Sequence, residues 1–112
     1  MYKIIHNPRC SKSRQTLALL EDESDHVEII NYLDGELSDD LLSFIFTNFK
    51  GNSEDLIRKK EDEYKKIKID FSSQTSFTKA VLKYPKILER PIVIKGKKVV
   101  IGRPPENVKE LF

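Results

Sequence analysis

The residue best suited to nucleophilic chemistry is Cys10, the one cysteine of this 112-residue chain. It lies where an apolar stretch ends and a helical pattern begins. A helix N-terminus presents unpaired N–H groups and a partial positive charge, which favour a thiolate. A free cysteine with a pKa of ~8.5 is only about 3% thiolate at pH 7, so a lowered pKa makes it more reactive. Because Arg9, Lys12 and Arg14 act in the same direction, we predict a reactive thiol rather than a small buried apolar residue.

Two polar residues accompany Cys10 at spacings that suit a thiolate site. Ser13 stands where a Cys-x-x-Cys pair would have its second cysteine, and its hydroxyl either donates to the sulfur or lies on the helix surface. Since the chain has no second cysteine, any redox cycle must be completed by an external thiol. His6 lies four residues before Cys10 and is either a structural residue or a support for the thiolate.

Three arginines fall at junctions between predicted elements. Arg58 ends a short predicted helix, Arg90 precedes a buried strand, and Arg103 follows the next strand. The planar guanidinium group suits bidentate binding of a tetrahedral oxyanion. Taken singly, each is more often an ion-pair partner, and the sequence does not establish that they converge. No set of His, Cys, Asp and Glu residues has metal-ligand spacing, so we predict no metal site.

The elements that must position these residues begin with a strand, a helix and a second strand. Residues 2–6 predict a strand, Asn7-Pro8 interrupts it, a helix follows from about Ser11 to Asp22, and residues 26–33 predict another strand. A strand, a helix and a second strand within about 30 residues fit a βαβ unit, whose crossover is almost always right-handed. We therefore expect the two strands to be parallel.

The middle of the chain, about residues 37–88, is predicted to be all helix and loop. Ser38 is a candidate N-cap for an amphipathic helix, and a short helix runs from Ser53 through Arg58. A polar loop follows at about 66–74, and another helix stops before Pro85.

The last part of the chain predicts a hairpin and a final helix. Two β-branched runs between residues 91 and 101 surround Lys95-Gly96-Lys97, which indicates a hairpin of two central strands covered on both faces. Pro104-Pro105 opens a last helix at the first-turn position that favours proline. The order β-α-β, helices, β-β-α indicates an α/β fold. We expect one domain over residues 1–112, with a helical insertion at about 37–88.

The overall composition argues against a general nucleic-acid binder and against a membrane-spanning protein. The chain has 20 basic and 18 acidic residues, a net charge of +2 that is too balanced for a general nucleic-acid binder. No apolar run is long enough for a membrane span, and the first residues do not resemble a signal peptide. One cysteine cannot form an internal disulfide, so an oxidising compartment is not implied. We therefore expect a cytoplasmic protein, and we expect a monomer.

Several segments resemble the signature segments of the glutaredoxin-dependent arsenate reductase (ArsC) family, in the family order and across essentially the whole chain. They are His6–Arg14, Leu56–Lys60, Glu89–Val93 and Ile101–Glu106. The segments around Cys10 and Arg103 look closer to the chromosomal, less characterised branch of the family. The resemblance implies a thioredoxin-like fold with a mixed four-stranded sheet, and a cis peptide bond before Pro91.

The resemblance also implies a reaction and a role for each candidate residue. The reaction is the reduction of arsenate, or a similar oxyanion, through a covalent thioarsenate, with glutathione as co-substrate, glutaredoxin as partner and no bound cofactor. Cys10 is the implied nucleophile, and His6 is implied to support it. Arg58, Arg90 and Arg103 are implied to bind the oxyanion. Ser13 and Arg14 are implied to stabilise the thiolate.

Two alternatives stay open. One is a glutathione-dependent thiol oxidoreductase that acts on another substrate through Cys10. The other is a non-enzymatic regulator that binds RNA polymerase, as proteins of the Spx type do. Many of those carry Cys-x-x-Cys at this position, and Ser13 argues against that redox switch.

Overall fold

A computed structural model describes every residue from Met1 to Phe112, and the chain divides into two units. The first unit combines Met1–Glu36 with Arg90–Phe112, and the second is Leu37–Glu89. The second unit coincides closely with the segment, about 37–88, in which the sequence indicates a helical insertion. Arg58 therefore belongs to the second unit, and the other candidate site residues belong to the first.

A four-stranded sheet in the order β2-β1-β3-β4 forms the first unit. The strands are β1 (Tyr2–His6), β2 (Val27–Asn31), β3 (Ile92–Lys95) and β4 (Lys98–Ile101). β1 pairs with β2 in parallel and with β3 antiparallel, and β3 pairs antiparallel with β4. The parallel pair, the hairpin and the mixed sheet are thus confirmed. The prediction of two central strands in the hairpin is wrong for β4, because β3 takes the inner position and leaves β4 at the edge.

One face of this sheet is covered by α1 (Ser11–Glu23) and by a 3₁₀ helix at Pro105–Leu111. Their buried side chains form one core cluster with the sheet, consisting of Tyr2, Ile4, Leu20, Val93, Val108 and Leu111. The final helix predicted from Pro104-Pro105 is therefore present, with 3₁₀ rather than α geometry. Its packing against α1 holds the end of the chain close to the start of the sheet.

Two cis peptide bonds flank the hairpin, Arg90–Pro91 and Arg103–Pro104. The first was expected from the family resemblance and is confirmed. The second was not predicted. Each cis bond follows one of the two arginines that the sequence singles out at the ends of the hairpin.

The second unit contains α2 (Asp39–Asn48) and α3 (Gln74–Lys83), with 3₁₀ turns between and after them. Ser38 caps α2 as predicted, because its side chain accepts a hydrogen bond from the Leu41 N–H over 3.1 Å. The two helices pack through apolar side chains, and the rings of Phe46 and Phe77 lie 5.3 Å apart. None of the helices is long and apolar enough to cross a membrane.

The predicted helix through Arg58 ends earlier than expected, because its 3₁₀ turn covers only Ser53–Leu56. Ile57 then forms an isolated antiparallel bridge with Leu88. The N–H of Arg58 donates to the carbonyl of Ile87 over 2.7 Å, and the N–H of Glu89 donates to the carbonyl of Leu56 over 2.8 Å. Arg58 therefore extends from a short strand-like pairing rather than from a helix end.

Candidate active site

Cys10 is the N-cap residue of α1, at the junction that the sequence predicts. Its backbone is extended, with φ −96° and ψ 122°, and its carbonyl accepts the first intrahelical hydrogen bond, from the Arg14 N–H over 3.0 Å. The thiol is half-buried and free of disulfide bonding. The helix start therefore holds a reduced thiol next to its own unpaired N–H groups.

The pKa of the Cys10 thiol lies below its ordinary value. Partial burial by itself raises this pKa, since it disfavours the charged thiolate. The opposing contributions outweigh it; in decreasing order they come from the backbone N–H of Ser13, the charge of Arg103, a side-chain hydrogen bond from Arg90 and the backbone N–H of Lys12. A lowered pKa increases the fraction of thiolate, which is the nucleophilic form of cysteine.

Arg103 and Arg90 bring positive charge to this sulfur from the two ends of the hairpin. Arg103 Nη2 donates to Cys10 Sγ over 3.1 Å, and Arg103 Nε donates to the carbonyl of Arg90 over 2.8 Å. The second bond holds the guanidinium plane of Arg103 in place. Two of the three arginines noted in the sequence are thus brought together at the thiol.

Close packing at Gly102 sets the position of Arg103. The N–H of Gly102 donates to the carbonyl of Pro91 over 2.9 Å. A Cβ atom at Gly102 would lie 2.8 Å from both Pro91 Cγ and Thr16 Oγ1. Only a glycine therefore lets the end of β4 pass between Pro91 and α1 without a shift, and this residue was not noted in the sequence.

The loop between β1 and α1 is held by Asn7, which the sequence indicates only as part of a strand break. Its carbonyl accepts from the Cys10 N–H and its Oδ1 accepts from the Arg9 N–H, each over 3.0 Å. Its Nδ2 donates to the Tyr32 hydroxyl over 3.4 Å, and its own N–H donates to Ser13 Oγ over 3.1 Å. An asparagine before proline at a strand end is the signal that could have indicated this turn.

The hydroxyl of Ser13 is engaged with His6 and Asn7. Ser13 Oγ lies 2.7 Å from His6 Nδ1 and accepts the Asn7 N–H. Ser13 is fully buried and His6 Nδ1 is the only acceptor within reach of its hydroxyl hydrogen. The hydroxyl is therefore assigned as donor to Nδ1, which places the imidazole proton on Nε2. The hydroxyl of Ser13 therefore neither donates to the sulfur nor lies on the helix surface. Ser13 stabilises the thiolate through its backbone N–H instead.

Burial lowers the pKa of His6. The negative charge of Glu21 opposes this shift by raising the pKa, and the positive charge of Arg14 adds to it. His6 is therefore neutral at pH 7, and the uncharged ring suits its bond to Ser13.

Arg14 and Arg58 have different surroundings from the arginines at the thiol. Arg14 Nη1 donates to the carbonyl of Pro8 over 2.9 Å, so it ties α1 to the loop before Cys10. Arg58 Nη1 forms an ion pair with Glu89 Oε2 at 2.9 Å in the second unit. The Nε of Arg58 is buried without a hydrogen-bond partner.

The first unit thus combines a thiol of lowered pKa with two guanidinium groups beside it. Guanidinium N–H groups bind the oxygens of an anion and offset charge that develops on them during nucleophilic attack. No group of three or more His, Cys, Asp or Glu side chains is placed to hold a metal ion. The arrangement is suited to attack by sulfur on an oxyanion.

Comparisons with known proteins cover nearly the whole chain and point to one family. The model of the ArsC family matches residues 5–111. The chain is 43% identical to the uncharacterized protein YfgD of Escherichia coli K12, over 97% of this chain and 94% of that protein. It is 41% identical to the arsenate reductase of Haemophilus influenzae, over 97% of each. The solved structure of an arsenate reductase from Vibrio cholerae superimposes with a TM-score of 0.86 at 36% identity, over 99% of this chain and 97% of that one. The expected thioredoxin-like fold class is thereby confirmed.

Proposed function

Since the chain belongs to the ArsC family, we propose that it is an enzyme that reduces arsenate to arsenite with Cys10 as its nucleophile. The observation that carries this proposal is the Cys10 thiol of lowered pKa, with the Arg103 guanidinium 3.1 Å from its sulfur. Similar proteins from Haemophilus influenzae and Vibrio cholerae bear the name arsenate reductase, which supports the choice of substrate.

In the first step, arginine side chains bind the arsenate oxygens while the Cys10 thiolate attacks arsenic. An S–As bond forms and one As–O bond breaks, and the departing oxygen takes up protons and leaves as water. Arsenic remains As(V) in this thioarsenate. We assign oxyanion binding to Arg90 and Arg103, which contact the thiol. The same role for Arg58, which lies in the second unit, stays a prediction from the family resemblance.

In the second step, the thiolate of glutathione attacks the sulfur of Cys10. An S–S bond forms, the S–As bond breaks, and its electron pair stays on arsenic, which leaves as As(III) arsenite. The thiolate of glutaredoxin then attacks the glutathione sulfur, becomes glutathionylated and releases the Cys10 thiolate. The single cysteine of this chain supports the scheme, because the chain has no second thiol of its own to resolve the intermediate.

Arsenate-dependent oxidation of NADPH, coupled through glutathione, glutaredoxin and glutathione reductase, tests this proposal. We expect turnover by the wild-type chain, no turnover by Cys10→Ser, and a raised KM for arsenate in Arg90→Ala and Arg58→Ala. Lys97→Ala, which removes an exposed positive charge from the hairpin turn, is the matched control and should leave the KM unchanged.

Absence of arsenate turnover with active glutaredoxin present would refute the proposed function. Turnover that does not need glutathione would refute the proposed electron source. Turnover of a glutathionylated disulfide without turnover of arsenate would identify the thiol oxidoreductase alternative.

A further inference from the structure

A cleft of about 290 Å³ opens beside the Cys10 loop in the first unit. It lies at the carboxyl ends of the parallel strands β1 and β2, a place where open α/β sheets commonly bind ligands. Its volume is at the lower end of small-molecule sites. The cleft is lined by His6, Asn7, Pro8, Arg9, Asn31, Leu33 and Asp34.

The wall of this cleft includes a buried imidazole with one nitrogen still available. His6 is only 6% exposed, and its Nδ1 is occupied by Ser13 Oγ at 2.7 Å. Because the Ser13 hydroxyl donates to Nδ1, the imidazole proton resides on Nε2, which has no hydrogen-bond partner in the protein. This nitrogen is not one of the fully buried atoms without a partner, so it keeps contact with the cleft, and a ligand acceptor there can bind its N–H in place of water.

The rest of the lining includes one charge of each sign and an exposed leucine side chain. Arg9 and Asp34 are exposed, and neither takes part in an ion pair within the chain. Leu33 is 47% exposed and adds apolar surface. The cleft is therefore complementary to a small zwitterion that has a carboxylate, an ammonium group and a peptide carbonyl.

A larger cleft of about 450 Å³ in the second unit is less suited to such a ligand. Most of its charged groups already satisfy one another, since Arg58 pairs with Glu89 and Lys59 pairs with Glu54, each at 2.9 Å. A zwitterion would have to compete with both ion pairs. The smaller cleft offers its charges unpaired.

We propose that the cleft of the first unit binds the tripeptide thiol co-substrate, glutathione, an inference that rests on the proposed function. A carboxylate of the ligand pairs with Arg9, its ammonium group with Asp34, and a peptide carbonyl accepts from His6 Nε2. An extended tripeptide spans about 10 Å. Arg9 directly precedes Cys10 in the chain. A ligand held at Arg9 therefore keeps its sulfur within reach of Cys10.

Titration of the ¹⁵N-labelled full chain with S-methylglutathione tests the cleft without any redox reaction. We expect saturable shifts of the amide signals of Arg9, Asn31 and Asp34. The variants Arg9→Gln and Asp34→Asn should each raise the Kd about two- to fivefold, as expected for exposed ion pairs.

Two matched variants in the larger cleft remove the same charges and serve as controls. Lys60→Gln and Asp55→Asn should leave the Kd for S-methylglutathione unchanged. If these variants weaken binding while Arg9→Gln and Asp34→Asn do not, the assignment is overturned. Lack of saturable shifts at the first cleft would overturn it as well.

Kinetics separate failure of this inference from failure of the proposed function. In the arsenate assay, Arg9→Gln and Asp34→Asn should raise the KM for glutathione and leave the KM for arsenate unchanged. If arsenate is turned over but the binding shifts lie elsewhere, the cleft assignment fails and the function stands. If arsenate is not turned over, the titration still decides whether the cleft binds a peptide thiol.

Discussion

Replacing Arg103 by glutamine tests whether a single guanidinium charge keeps the Cys10 thiol acidic. In the wild-type chain, Arg103 Nη2 lies 3.1 Å from Cys10 Sγ, and the charge of Arg103 is among the causes of the lowered pKa. Glutamine places its amide nitrogen where Arg103 has Nε, two bonds short of Nη2, so it removes both the charge and the hydrogen bond to the sulfur. The neutral variant should therefore raise the pKa of Cys10.

The size of the shift follows from the distance and the partial exposure of the thiol. Opposite unit charges 4 Å apart attract by about 1 kcal/mol in water and by about 4 kcal/mol at an effective dielectric constant of 20. Cys10 is half-buried, so its interaction with Arg103 lies between these limits. Since 1.36 kcal/mol corresponds to one pKa unit, we expect Arg103→Gln to raise the pKa of Cys10 by about one to two units.

The apparent pKa is measured from thiolate absorbance at 240 nm, or from the alkylation rate by iodoacetamide, as functions of pH. A rate at one pH is not sufficient, because the intrinsic nucleophilicity of a thiolate increases with its pKa. Arg103→Lys keeps the charge and should shift the midpoint less, and Lys97→Gln should not shift it. A midpoint that stays at the wild-type value in Arg103→Gln would refute this explanation of the lowered pKa.

Two further predictions concern stability and use urea unfolding as the measurement. Burial lowers the pKa of His6, so the unfolded chain binds a proton at pH values where the folded chain does not. The free energy of unfolding should therefore decrease as the pH falls below about 6.5 towards the folded pKa. His6→Gln should be less sensitive to pH in this window, and an unchanged dependence in this variant would contradict the argument. Gly102→Ala should destabilise the chain by about 1–3 kcal/mol, because its Cβ would lie 2.8 Å from Thr16 Oγ1 and from Pro91 Cγ. Adding Thr16→Ala should recover part of that loss, and a single variant as stable as the wild type would show that the close approach is relieved at no cost.

Short-range patterns were enough to predict the elements around the nucleophile. The strand at the start of the chain, the break at Asn7-Pro8 and the helix that begins after Cys10 were all found from residues that are neighbours in sequence. The same is true of the N-cap at Ser38, whose hydrogen bond spans three residues. Periodicity and capping depend on local backbone geometry, so the sequence carries them directly.

Predictions were wrong where partners distant in sequence determine the backbone. The segment at Ile57 and Arg58 reads locally as the end of a helix, yet it pairs with the segment around Leu88. Likewise β4 reads as a central strand from its apolar residues, and its place at the edge depends on which strands pair with β1. Local composition does not determine strand order.

The sequence by itself determined that one thiol stands at the start of a helix, and that the chain has no second thiol to resolve an intermediate. Only the tertiary structure decided which groups stabilise that thiol. Arg103 reaches Cys10 across 93 positions of sequence because Gly102 packs closely against Pro91 and α1. Ser13, three residues from Cys10, directs its hydroxyl to His6 instead of the sulfur. Contacts of side chains depend on packing between elements, and sequence spacing does not specify that packing.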